Sequence, residues 1–142
     1  MSSIVDRALR LWTLPIPAGD SGLESFRAVY ADPLNVNGQS TPLEVLVDRA
    51  RMLQAAVDDI RADVQHQLSA PGGEAFAFRL SGRHVGPLQT PLGELPPTGR
   101  TVSWSGMDIF LVDEEADRIS AVWALSDFLG LLMDAEAVTL RP

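Results

Sequence analysis

Four ionisable side chains sit where apolar ones would be expected. In SWSGMDIFLV, residues 103–112, the alternate positions are Trp104, Gly106, Asp108, Phe110 and Val112, so an aspartate shares a stripe with two aromatic rings. The same happens in three other segments of period two. His66 follows Ile60, Ala62 and Val64 in IRADVQHQL, His84 follows Phe76, Phe78 and Leu80 in AFAFRLSGRH, and Asp127 follows Ile119, Ala121, Trp123 and Leu125 in RISAVWALSD. Burying a carboxylate is costly unless something pairs with it or uses it. A pocket wall of this kind raises a carboxylate's pKa by desolvation, towards values suited to proton transfer near neutrality. Two acids in one such pocket could divide the roles of proton donor and acceptor.

Each position also has a plainer reading. Asp127 immediately precedes a predicted helix and could simply cap it. A bulge at Gly106 would turn Asp108 outwards, although Phe110 and Val112 keep the stripe apolar beyond it. His66, between Gln65 and Gln67, reads as a hydrogen-bonded sheet histidine. For His84, beside a glycine-rich connection, neither reading prevails. Trp104 and Trp123 read as core or pocket wall, and Trp12 as core.

Other chemistries are excluded by what the sequence lacks. There is no cysteine, hence no disulfide, thiolate nucleophile or Cys-ligated zinc. There is no lysine and no phosphate-binding glycine loop. Two histidines on separate strands make a poor metal site, so no metal or cofactor is expected. The net charge of -8 argues against nucleic acid and anionic membranes as partners. Charges at Asp6, Arg7 and Arg10 interrupt the N-terminal apolar segment, and no stretch approaches a membrane span, so a cytoplasmic protein is expected.

These side chains need a scaffold. Residues 3–14 and 21–31 carry apolar residues at helical spacing, the first pattern ended by Pro15 and Pro17. ADPLNVNGQ reads as a turn-forming stretch. A third helix is predicted from Thr41, with Thr41 as N-cap, Pro42 at the first helical position and Glu44 completing a capping box. Strands follow at 60–68, 75–84, 103–112 and 118–127. A Pro- and Gly-rich connection over 86–99 could form a lid, and a short helix follows Asp127. Helices first and an antiparallel meander afterwards indicate one α+β domain over residues 1–142, a curved antiparallel sheet wrapped around the N-terminal helices.

The succession GRHVGPL, PPTGR at 96–100, GMDIF at 106–110 and the Trp123-to-Leu132 segment WALSDFLGLL resembles the SnoaL-like polyketide cyclases, within the nuclear-transport-factor-2-like superfamily. The likeness spans roughly residues 24–133. It implies a pocket-bearing cone, homodimeric through its outer sheet face, that closes a polyketide ring by intramolecular aldol condensation without metal or cofactor. It matches Asp127 to the family's general acid/base and Asp108 to an aspartate that hydrogen-bonds the oxyanion in related ketosteroid isomerases. It matches His84 to a family histidine. Trp12, Tyr30 and Asn35 are possible pocket lining, with Trp104, Phe110, Trp123 and His66. The expected ligand is a small, apolar, polyketide-like carbonyl compound. An epoxide hydrolase or isomerase, or a non-catalytic ligand-binding or dimeric accessory protein, remains open on the same scaffold.

Overall fold

A computed structural model describes residues 3–141; Met1, Ser2 and Pro142, the ends of the expected 1–142 domain, lie outside the described residues. The chain opens with helix α1, Ile4–Thr13, capped by Ser3, whose hydroxyl accepts the Asp6 N–H at 3.1 Å. Helix α2, Asp20–Arg27, buries Phe26 completely. The stretch expected to be only a turn is a hairpin, β1 (Tyr30–Val36) and β2 (Gln39–Thr41). Asn37 and Gly38, at φ 51° and 87°, close it, since two left-handed residues match the twist of the flanking strands.

Helix α3, Leu43–Ala56, buries Leu43, Leu46, Val47, Ala50 and Ala56 along one side. Its start differs from the expected capping box. Pro42 holds the cap position and can offer no side-chain bond. Asp32 of β1 reaches across instead, its Oδ1 accepting the Leu43 N–H at 3.1 Å, while the Thr41 hydroxyl donates to the Gln39 carbonyl.

The long strands follow: β3 (Val57–Ala70), β4 (Gly73–His84), β7 (Thr101–Asp113) and β8 (Arg118–Ser126). The 86–99 connection is not open. It folds into a small hairpin, β5 (Leu88–Thr90) and β6 (Gly93–Leu95), which buries Leu88 and Leu95. Val85 and Gly86 tie its base to the end of α3 by donating to the Ala56 carbonyl. The main sheet runs β2-β1-β8-β7-β4-β3, antiparallel except where β1 lies parallel to β8. It is curved and does not close on itself. The helices fill its concave side, where one buried cluster runs from Ile4 and Val5 through Leu46 to Phe76, Phe110 and Ile119. Helix α4, Phe128–Asp134, ends the described elements.

Two of the sheet's register shifts decide where His66 and Trp123 point. Around Gln65, Val64 pairs with Phe78 but His66 pairs with Ala77. Around Ser120, Val112 pairs with Ile119 but Leu111 with Ala121. Each extra residue inverts the alternation beyond it. His66 and Leu68 therefore turn to the convex face, as do Trp123 and Leu125. The β4–β7 ladder, by contrast, runs unbroken from Gly73↔Leu111 to Arg83↔Thr101. No bulge forms at Gly106; a Cβ there would lie 2.5 Å from the Phe78 ring, so glycine lets that ring cross the strand. Asp108 keeps its inward place.

Candidate active site

The concave face of the sheet and the helices enclose a cavity of about 490 Å3. Phe78 and Leu80 of β4, Trp104 and Phe110 of β7 and Val122 of β8 form one wall. Ala8, Leu9 and Trp12 of α1 with Leu46 and Leu53 of α3 form the other. Phe128, first residue of α4, stacks on Trp104 at 6.0 Å between centroids and lines one end. A separate hollow of about 110 Å3 near Arg100 and Asp134 shares none of these residues.

Among the described residues, Asp108 is the only acid lining the larger cavity. Its neighbours across the sheet are Phe76 and Ala124, neither of which offers a side-chain donor. Among the described residues nothing hydrogen-bonds its carboxyl group. Desolvation, uncompensated by any partner, raises its pKa from 3.8 to about 7. At neutrality it is divided between acid and carboxylate, able to give or take a proton.

Tyr30 stands at the start of β1, buried and stacked on Phe26 at 5.9 Å. Its hydroxyl oxygen accepts the Trp12 indole N–H at 3.1 Å. No described residue takes the hydroxyl hydrogen, and Tyr30 lines the cavity. Burial, with a smaller contribution from the charge of Asp108, pushes the phenol pKa upward against the Trp12 bond, so the hydroxyl keeps its proton. Tyr30 is thus a polarised donor in the same cavity as a half-ionised acid.

Asn37 and Ser126 are among the further polar groups that line this space. Asn37 is locked in the hairpin turn, its N–H donating to the Val122 carbonyl at 2.9 Å and its Oδ1 accepting from the Ala124 N–H at 2.8 Å. That leaves its Nδ2 hydrogens uncommitted. Ser126 projects from the end of β8. Neither was singled out from sequence, where Asn35 was named. Asn35 Oδ1 instead accepts the Gly38 N–H, and Asn35 does not line the cavity. The Asn-Gly dipeptide signals the hairpin; the strand pairing that aims Asn37 inward is non-local.

The other expected site residues part company. Trp12, Tyr30, Trp104, Phe110 and Asp108 meet in the cavity. Trp123 and His66 lie on the convex side and are exposed, for the reason given above. Asp127 caps α4: its Oδ1 accepts the Gly130 N–H at 2.8 Å, it is exposed, and it does not line the cavity. Asp108, not Asp127, is the aspartate that lines the cavity. His84 is fully buried but also outside the cavity lining. Its Nδ1 accepts the Thr98 N–H at 3.2 Å, and its backbone bonds Gly99 and Arg100. It pins the PPTGR segment to β4, and among the described residues its Nε2 has no hydrogen-bond partner. Among the described residues, no cluster of three or more His, Cys, Asp or Glu could hold a metal ion. No helix among them is long and apolar enough to cross a membrane.

The SnoaL-like polyketide cyclase family model matches residues 21–135. The chain belongs to that family. Solved structures carry the same fold. TsrD from Streptomyces laurentii superposes with a TM-score of 0.76 at 20% identity, covering 95% of this chain and 93% of that one. A SnoaL-like polyketide cyclase from Agrobacterium tumefaciens superposes at 0.70 with 17% identity, over 95% and 99% of the two chains. IdmH from Streptomyces antibioticus gives 0.68 with 22% identity, over 95% and 99%. No match is found among curated proteins. As a SnoaL-like chain, the protein has the α+β architecture and family that its sequence motifs led one to expect.

Proposed function

We propose that this SnoaL-like protein is a cofactor-free acid–base enzyme that enolises an apolar carbonyl compound and closes a ring by intramolecular aldol addition. The observation that carries this reading is Asp108, an unpartnered carboxyl on the apolar wall of a 490 Å3 cavity. In the first step the Asp108 carboxylate takes a proton from the carbon beside a ketone. The C–H electrons form the enolate double bond, and the oxygen gains charge that the Tyr30 O–H stabilises. The enolate carbon then bonds to a second carbonyl carbon of the same molecule, and the resulting alkoxide recovers the proton from Asp108. Trp12 positions Tyr30, and the aromatic walls hold the flexible chain folded, which lowers the entropy lost on reaction.

Solvent exchange tests the first step without the natural substrate. Proton NMR in D2O should show 2-tetralone losing its α-hydrogens faster with the protein than without it. Asp108→Asn should slow that protein-dependent exchange by about 10²- to 10⁴-fold. Undiminished exchange in the variant would sink the proposal, and tight binding without exchange would favour a carrier. Epoxide hydrolysis has less support, because a carboxylate pair is wanted and the cavity offers one acid. We place a second copy of the chain against the convex sheet face, leaving the cavity of each copy open.

A further inference from the structure

We infer that the molecule bound in this cavity carries an anionic group, a carboxylate in the simplest case, which Arg49 receives. The inference rests on the cavity being a ligand site. Arg49 projects from α3 on the side that also presents Leu46, Met52 and Leu53 to the cavity, and among the described residues it is the one cation in the lining. It is exposed, and no described carboxylate pairs with it; the ion pairs are made by Arg7, Arg27 and Arg83. Nor does any described acceptor take a hydrogen from its guanidinium, whereas Arg51, Arg79 and Arg118 each have one. Its donors are uncommitted at a place where fold stability makes no use of them.

Among the described residues, no other cation lines the cavity beside Arg49. Gln89, the other polar group on the hairpin side, is committed to Glu94 at 2.9 Å, so it leaves the guanidinium to act by itself. The chain as a whole carries a net charge of -8, which would repel an anion from most of its surface. A lone guanidinium at the cavity reverses that locally, and its planar fork fits a carboxylate with two parallel hydrogen bonds. Arg49 stands on the helical wall and Asp108 on the sheet wall. A ligand whose carboxylate lies against α3 thus presents its ketone end to β7, fixing which carbon meets the acid.

The test compares two probes with one ring system and different charge. Isothermal titration calorimetry at pH 6 would measure 2-naphthoate and methyl 2-naphthoate against the wild type, Arg49→Gln and Arg49→Lys. The wild type should bind the acid about ten- to a hundredfold more tightly than the ester. Arg49→Gln should bind the two alike, and Arg49→Lys should keep part of the preference. If the ester binds and the acid has no advantage, or keeps its advantage in Arg49→Gln, the anion site is overturned while the apolar cavity stands. If neither probe binds the wild type, both readings fall together.

Discussion

At the scale of single residues, the proposed mechanism makes Asp108 tie catalysis to stability through one proton. The folded chain holds it up to about pH 7, against 3.8 for the free group. Catalysis as a base needs the ionised form, so kcat/KM for enolisation should rise with pH and level off above about 7. Stability runs the other way. Between about pH 4 and 7 the folded state binds more protons than the unfolded state, so its stability falls as pH rises. Urea denaturation at pH 5 and pH 8 should show the wild type losing about 2 kcal/mol more than Asp108→Asn over that interval. Equal slopes would mean that water reaches the carboxyl freely. Tyr30, the proposed oxyanion donor, can be tested separately. Tyr30→Phe keeps the stack on Phe26 but takes the acceptor from the Trp12 indole N–H, so it should lower the melting temperature by a few degrees and kcat per folded molecule by about 10²-fold or more. A lost fold with a normal rate per folded molecule would make Tyr30 structural only.

At the scale of elements, the question is why Asp127 and Asp108, so alike in sequence, separate in space. Asp127 opens α4, and its carboxylate is consumed by the Gly130 N–H. Asp127→Ala should therefore cost about 1 kcal/mol in denaturant midpoint measurements, while Asp127→Asn, which can still cap, costs little. Both should retain turnover per folded molecule; a dead but well-folded Asp127→Asn would return this residue to the chemistry. The same comparison shows what the sequence could reveal. Helix order, the four long strands and the inward place of Asp108 follow from local periodicity, because the β4–β7 ladder is regular. Trp123 and His66 were misplaced because bulges at Ser120 and Gln65 invert the alternation, and neither position carries a glycine or other local mark. Asn37 and the Asp32 cap of α3 depend on β1 pairing with β8 and approaching α3, contacts between segments far apart in the chain. Arg49 escaped notice because a lone arginine on an amphipathic helix has no signature until the cavity is known.

At the scale of the whole molecule, the bulge at Ser120 has a second effect. It turns Trp123 and Leu125 onto the convex face, opposite Ile109 and Met107 of β7. With Leu111 these form a continuous apolar patch, Met107 68% and Leu125 76% exposed, on an otherwise acidic chain. Soluble monomers rarely leave a large contiguous apolar patch in water. Sheet faces of this kind suit a two-fold pair, in which each residue meets its own counterpart or a neighbour and no charge need be matched. The patch lies behind the sheet, away from the cavity, so pairing would bury it without closing the ligand site. Light scattering after size exclusion should therefore give the mass of two 15.4 kDa chains at micromolar concentration. Leu125→Asp would place two carboxylates in the buried interface, and the expected result is a monomer that still binds a cavity ligand. A wild-type monomer under these conditions would show that the patch waits for a different partner. A Leu125→Asp protein that remained dimeric would put the contact on another surface.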